Sequence, residues 1–379
     1  NAKIVFKGNA EWKISKIFPT KDFIIINKSK NELVIKQSFY NLKTGKISSP
    51  EINLEGNIKA KNFSTQDNEI LLTNSGWNIP NQFSTLDLET EKLTKNPFEI
   101  VYNMPFLKNL VVEEIEVPSH DGAMVPLSII YDKTMVKRDG TSIGYMLGYG
   151  SYGISLTPSF RMEFMPFLTN GAVVAVAHVR GGGEKGNDWH LSGKKSNKPN
   201  TWKDFNACAE FLIQKKYISP KKLAISGGSA GGILIGRAVT ERPDLYRVAI
   251  PTVGIMNALR MEFEPNGPAN ITEFGTVKDE TEFKALLEMD AYHHIKKGEK
   301  YPAILVTTGF NDPRVASYSP AKFAAKMQNE NGSEHPIFLD VNYEAGHFGG
   351  STHDEYLKEE ARNMAFIFWQ CGHRDFQIK

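Results

Sequence analysis

The sequence predicts a chain in two parts, an all-β region followed by an α/β domain on a mainly parallel sheet, and three observations predict it. Residues 1 to about 98 carry short β-type runs broken by turn clusters. From about residue 106 strands alternate with helices, the pattern of a sheet covered on both faces. Between one such strand and helix stands Gly227-Gly228-Ser229-Ala230-Gly231, a sharp turn that exposes a serine. The 379 residues accommodate two or three domains of ~100–200 residues. With 41% hydrophobic and 11% aromatic residues there is apolar surface enough to offset backbone ordering, which excludes a disordered chain.

In the first region, residues 23–26, 32–36, 69–73 and 82–88 read as strands, separated by turns such as Lys43-Thr44-Gly45-Lys46. Strands at this spacing suggest a sandwich, a barrel or a propeller. Two stretches look alike, residues 38–45 and 84–91, each an alternating strand followed by a polar turn at an offset of 46 residues. That offset matches a propeller blade of roughly 40–50 residues, although two unrelated hairpins would read the same.

In the second region, residues 114–117 and 125–131 around the turn Ser119-His120-Asp121-Gly122 read as an antiparallel edge hairpin. Residues 143–149, 172–179, 222–226, 303–308 and 336–341 are near-continuous apolar runs and read as buried strands. Between them, Thr201 and Asp204 predict a capping box opening a helix over 202–216, with Trp202, Phe205, Ala209 and Leu212 on one face. A second helix over 233–241 stops before Pro243. Ser319-Pro320 starts another that Gly332 follows, and Ser351 with Asp354 opens a last helix through residue 368.

Charge and composition narrow the function classes. Lys and Arg total 45 against 43 Asp and Glu, a formal charge of +2, far from the concentrated positive charge that nucleic acid requires. Two cysteines, Cys208 and Cys371, are too few for a disulfide framework or a Cys-based zinc site. The longest apolar runs, such as 172–177, fall far below the ~18–20 residues that span a bilayer, so a soluble chain without a membrane partner is expected. The chain opens on Asn1 with neither an initiator Met nor a signal-peptide pattern, and so reads as a fragment or a processed chain. Few cysteines suit a cytoplasmic protein but also many periplasmic ones, so the compartment stays open with the cytoplasm slightly favoured.

Ser229 follows a strand and precedes a helix, the context in which G-x-S-x-G makes a nucleophile elbow. The glycines permit strained backbone angles and close packing, and the helix aims its positive end and the Ala230 amide at the place where an oxyanion forms. A serine hydroxyl is a weak nucleophile: a base must take its proton and a carboxylate must orient that base. In the α/β-hydrolase arrangement the chain order is Ser, then Asp or Glu, then His. Asp312, in Thr308-Gly309-Phe310-Asn311-Asp312-Pro313-Arg314, stands in a loop just beyond one buried strand. His347, in Glu344-Ala345-Gly346-His347-Phe348-Gly349-Gly350, follows the next. Asp340 and Glu344 are rival acids whose positions fit less well. The other eight histidines read as surface, loop or core residues, and none forms H-E-x-x-H, so neither a metal nor another cofactor is expected. Residues 148–153 and 181–186 both spell G-x-G-x-x-G, but no helix opens directly after either, as dinucleotide binding requires.

Taken together, Gly148-Tyr149-Gly150-Ser151-Tyr152, Arg180-Gly181-Gly182-Gly183-Glu184, the Ser229 turn, Asn311-Asp312-Pro313-Arg314-Val315 and Gly346-His347 resemble the prolyl oligopeptidase family of serine peptidases. The likeness runs through residues 110–371. It implies an α/β-hydrolase fold over residues 106–379 preceded by part of an all-β propeller over residues 1–105, the final blades of seven. It further implies that Tyr149 donates its hydroxyl to the oxyanion beside the Ala230 amide, that Arg314 holds a backbone carbonyl of the substrate, and that Arg180 and Glu184 fix the loop beneath. In prolyl-specific members a Trp stacks on the substrate proline three residues before an acidic-aromatic-Gly triplet. Here the triplet is Glu273-Phe274-Gly275 and the matching residue is Asn270, which offers no face to a pyrrolidine ring. Members that cut after Lys or Arg carry an acidic cluster nearby, of which Glu273 alone remains. Tyr152, Ile255, Phe274 and Val315 are expected to line the pocket in either branch. The reading is a serine-type oligopeptidase acting on internal bonds of short peptides through an acyl-enzyme, without a cofactor. An acyl-peptide hydrolase or esterase with the same triad, or a catalytically silent scaffold, are the rivals.

Overall fold

The structure is a computed structural model and describes residues 12–96, 103–350 and 352–378 with positions 4 and 6. The chain divides into two units, one of Asn1–Val112 with Thr157–Met162 and Glu184–Gly186, the other of Glu113–Leu156, Glu163–Gly183 and Asn187–Lys379.

In the first unit two four-stranded antiparallel meanders follow one another. β1 (Lys13–Pro19), β2 (Phe23–Lys30), β3 (Val34–Asn41) and β4 (Ile47–Ser48) form one sheet in chain order. β5 (Asn57–Asn62), β6 (Glu69–Ser75), β7 (Gln82–Asp87) and β8 (Leu93–Lys95) form the other. The two look-alike stretches of the sequence fall on the ends of β3 and β7 and the turns after them, the third strand of each sheet, so the 46-residue offset is a structural repeat. Period-two alternation turns one face of every sheet inward. Phe18, Ile25 and Phe39 pack with Ile58, Ala60, Ile70, Leu72, Leu86 and Leu88. Strands β1 and β5 were not expected: of their Lys-rich sequences, KISKIFP buries only Phe18 and NIKAKN only Ile58 and Ala60.

The second unit is built on an eight-stranded sheet in the order β16-β15-β14-β13-β11-β12-β10-β9. Its strands are β9 (Leu110–Pro118), β10 (Met124–Asp132), β11 (Gly144–Gly148), β12 (Val173–Ala177), β13 (Leu223–Gly228), β14 (Val248–Thr252), β15 (Ala303–Gly309) and β16 (Ile337–Asn342). β10 runs antiparallel to β12, and β11 through β16 pair in parallel. Because β12 lies on one side of β11 and β13 on the other, the strand order reverses between β11 and β13. Open α/β sheets hold ligands at the carboxyl ends of the strands flanking such a reversal. The α-helices are α1 (Met165–Thr169), α2 (Asn187–Leu191), α3 (Pro199–Gln214), α4 (Gly231–Glu241), α5 (Ala258–Met261), α6 (Gly267–Phe274), α7 (Glu280–Met289), α8 (Tyr318–Glu330) and α9 (His353–Gln370). This is the α/β-hydrolase fold, preceded by propeller-type sheets.

Several helix starts differ from the sequence expectation. α3 begins at Pro199, so Thr201 and Asp204 stand inside it; both are buried, Thr201 donating to the Arg180 carbonyl and Asp204 accepting from the Arg180 guanidinium. α8 begins at Tyr318, which puts Ser319 and Pro320 in its buried first turn. The last helix is capped one residue later than expected, by the reciprocal pair Thr352 and Glu355, while Ser351 lies outside the described residues. Trp202, Phe205, Ala209 and Leu212 share the buried face of α3 as expected. Cys208 and Cys371 are both buried free thiols, which burial pushes up in pKa. Among the described residues no helix is long and apolar enough to cross a membrane, and no group of His, Cys, Asp and Glu is placed to hold a metal ion.

Candidate active site

Ser229 stands between β13 and α4 with φ 56°, a left-handed conformation that costs an L-residue of order 1–3 kcal/mol unless its surroundings hold it. They do so from both sides. Its amide donates to the Thr252 carbonyl at 2.9 Å, and its own carbonyl accepts from Gly232 at 2.9 Å and Ile255 at 3.0 Å. A Cβ on Gly232 would stand 2.5 Å from the Cα of Gly254, so the helix can seat itself against the β14 loop only with glycine there. α4 then points its amino terminus, opened by the buried Ala230, at the serine.

The loops after β15 and β16 bring two more groups to this turn. His347 Nε2 lies 3.0 Å from Ser229 Oγ, and His347 Nδ1 lies 2.7 Å from Asp312 Oδ2. Asp312 as a carboxylate is acceptor-only, so the Nδ1 proton donates to it and Nε2 is left to accept from the serine. The other carboxylate oxygen accepts from the amides of Arg314 at 2.8 Å and Val315 at 3.0 Å. Burial pushes this carboxyl up, but the hydrogen bonds from His347 and the two amides prevail and hold it below its ordinary value. The arrangement can move a proton from a hydroxyl to an imidazole whose ring is fixed in plane and tautomer. Glu264, which the sequence did not single out, accepts from the Ala316 amide at 3.1 Å and braces the same loop; burial raises its carboxyl to about 7. A cavity of about 180 Å³ lies beside His347 beneath α9, but neither Ser229, Tyr149 nor Arg314 lines it.

Tyr149 follows β11, the strand across the reversal from β13, and its phenol lies close enough to the Ser229 side chain to interact with it. Burial, with the Glu273 carboxylate, pushes the phenol up against the opposing pull of Arg314 and Ser229, which keeps it a donor at neutral pH. The loop beyond it is packed from below by the second glycine run. A Cβ on Gly181 would collide with the Gly150 carbonyl, so both G-x-G-x-x-G patterns serve close backbone approach. Beneath them Arg180 is spent on two carboxylates, Asp121 at 2.6 Å and Asp204 at 2.6 Å.

The residues expected at the specificity pocket are placed unevenly. Tyr152 is partly exposed; its hydroxyl donates to Asn270 Oδ1 at 2.8 Å and its ring stands edge-on to Phe274, centroids 5.4 Å apart. Asn270, Ile255 and Val315 are buried, and Phe274 has no exposed surface, so it forms a floor behind Tyr152 in place of an open lining. Arg314 is exposed, its guanidinium 4.9 Å above the Phe348 ring. Glu273 is buried and already holds the Tyr152 amide at 2.7 Å and His190 at 2.8 Å. Lys198, fully buried, reaches the same loop; one lysine among Lys194, Lys195 and Lys203 carries no signal in the sequence.

Comparison with known proteins gives a consistent picture. The model of the prolyl oligopeptidase family matches residues 158–374. A prolyl endopeptidase of Elizabethkingia miricola is 32% identical over 87% of this chain and 47% of its own length. Protease 2 of Moraxella lacunata is 30% identical over 97% of this chain and 53% of its own. A solved structure from a study of two prolyl endopeptidases superposes with a TM-score of 0.91 at 28% identity, covering 98% of this chain and 54% of the other. The chain thus spans about half the length of the curated relatives it matches.

Proposed function

This chain belongs to the prolyl oligopeptidase family, and from that membership we propose that it works as a serine-type oligopeptidase, cutting internal bonds of short peptides through an acyl-enzyme on Ser229. Ser229 Oγ attacks the scissile carbonyl while His347 Nε2 takes its proton. Asp312 steadies the imidazolium that forms. The Tyr149 hydroxyl and the Ala230 amide receive the negative charge that develops on the carbonyl oxygen. His347 then protonates the leaving amine, and a water molecule repeats the sequence against the ester. Arg314 is the group available to hold a substrate backbone carbonyl. Residues 106–379 carry this chemistry, and residues 1–105 supply the final blades of a propeller.

The observation that carries the reading is the unbroken chain of contacts from Ser229 Oγ to His347 at 3.0 Å and on to Asp312 at 2.7 Å. Specificity follows from what surrounds Tyr152. With Asn270 in place of a stacking face and Glu273 committed to His190 and a backbone amide, the pocket favours neither strict cleavage after proline nor strict cleavage after a basic residue. The test is a panel of peptide amides differing in the residue before the cut, with fluorophosphonate labelling and Ser229→Ala as control. Amide hydrolysis and labelling that both vanish in the variant support the proposal. Turnover of esters but not of matched amides would make it an esterase, and a protein that takes no label would be silent.

A further inference from the structure

We propose that Lys198 is a positioning residue for the oxyanion donor: its side-chain amine donates to the Gly150 carbonyl and the Ser151 hydroxyl, and so fixes the loop that holds Tyr149 beside Ser229. The inference rests on the reading of Ser229 as nucleophile and Tyr149 as donor.

Lysine is among the residues least often found without solvent contact, because an ammonium taken from water keeps its charge only if its protons are re-bonded. Lys198 has no exposed surface. Its Nζ donates to the Gly150 carbonyl and, at 2.7 Å, to Ser151 Oγ, and stands 5.4 Å above the Phe274 ring. These partners belong to the segment that leaves Tyr149 and to the floor behind Tyr152.

That segment needs holding. Gly150, Tyr152 and Gly153 all lie in the left-handed region, at φ 71°, 58° and 65°, and for Tyr152 the conformation is unfavourable. An isolated loop of this shape would relax and carry the preceding tyrosine with it. Here three successive residues are each tied to a buried ionisable side chain. Lys198 takes Gly150 and Ser151, and Glu273 takes the Tyr152 amide at 2.7 Å while His190 braces its other oxygen at 2.8 Å. Amine and carboxylate grip opposite backbone polarities of one turn, the amine donating to a carbonyl and the carboxylate accepting from an amide. Tyr149 is the residue directly upstream of that grip, and its phenol lies beside the nucleophile.

A double-mutant cycle on the intact protein tests this. Lys198→Met is expected to lower kcat for a peptide amide by about 10–100-fold with KM within about threefold, the size of loss that follows a misplaced group. In the Tyr149→Phe background, where the donor is already gone, the same replacement should change kcat by less than about threefold, because two groups acting as one unit are not additive. Ser151→Ala, which removes one acceptor at little steric cost, should show a smaller kcat loss with the same non-additivity, and gives the answer if Lys198→Met does not fold. Full multiplication of either replacement with Tyr149→Phe, or an effect confined to KM, overturns the positioning role. Inactivity of Ser229→Ala in the same assay separates that outcome from a failure of the nucleophile reading.

Discussion

A hydroxyl becomes a nucleophile through its neighbours, and at Ser229 each neighbour has a separable task. In the proposed mechanism His347 would receive the proton, Asp312 would fix the ring, and Tyr149 would meet a charge that exists only in the transition state. Removing the last should therefore depress kcat and spare KM. For Tyr149→Phe the expected loss is about 10²–10³-fold in kcat, the effect of one oxyanion donor, and a change in KM alone would assign Tyr149 to substrate binding. Asp312→Asn should cost about 10⁴-fold in kcat with Ser229 still in place, since an amide there permits the wrong tautomer. At the pocket, Asn270 is buried under the Tyr152 hydroxyl, so Asn270→Trp alone overfills the site. Paired with Tyr152→Ala, the indole gains room and cleavage after proline should rise in the peptide panel; no rise would displace Asn270 from the pocket wall. The three residues of the proposed serine chain were legible because each follows a strand, and Ser229 and His347 also sit among glycines. Lys198 was not, because a lysine shows its burial only once a fold surrounds it.

At the scale of elements, the nucleophile turn depends on how closely α4 approaches the loop after β14. A Cβ on Gly232 would meet the Gly254 Cα at 2.5 Å and the Ile255 nitrogen at 2.7 Å, both backbone atoms that cannot swing aside. One position before the serine, a Cβ on Gly228 would meet nothing nearer than the Thr252 carbonyl oxygen, at 3.4 Å. Gly232→Ala should thus destabilise the protein by about 1–3 kcal/mol and lower kcat as the Ser229 carbonyl loses its two amide partners, while Gly228→Ala should do little of either. Urea-unfolding midpoints and kcat for the two variants decide it, and equal behaviour would refute the close-approach account. β14 itself escaped the sequence reading. Its five residues end in Pro251-Thr252, and proline argues against a central strand, yet here it occupies the penultimate position, where the ladder is about to end. Helix starts slipped for a related reason: Thr201 and Ser319 look like caps, but each is buried within the first turn of its helix.

For the molecule as a whole, the change from turn-broken strands to alternating strands and helices made an all-β region followed by an α/β sheet readable from pattern, while the propeller and the hydrolase fold came from the resemblance. What composition hides is how stability follows pH. A net charge of +2 says nothing of Lys198, whose ammonium burial lowers to about 7 from an ordinary 10.5, with Glu273 pulling the other way. Between those values the unfolded chain holds a proton that the folded chain has shed. Stability must then rise with pH across the window, by up to about 1.4 kcal/mol per pH unit, and must fall away as pH drops towards 7. Asp312, held below its ordinary 3.8, acts far from this range: its contribution is present above that value and is lost as pH falls through the lower folded one. Lys198→Met removes the titrating group while leaving the carboxylates and phenols in place. The stability of the parent protein minus that of Lys198→Met should accordingly increase by about 2 kcal/mol from pH 7 to pH 9, read from urea unfolding at the two pH values. Parallel responses of parent and variant would mean that the buried amine keeps its proton throughout, and that its hold on Gly150 and Ser151 is insensitive to alkaline pH.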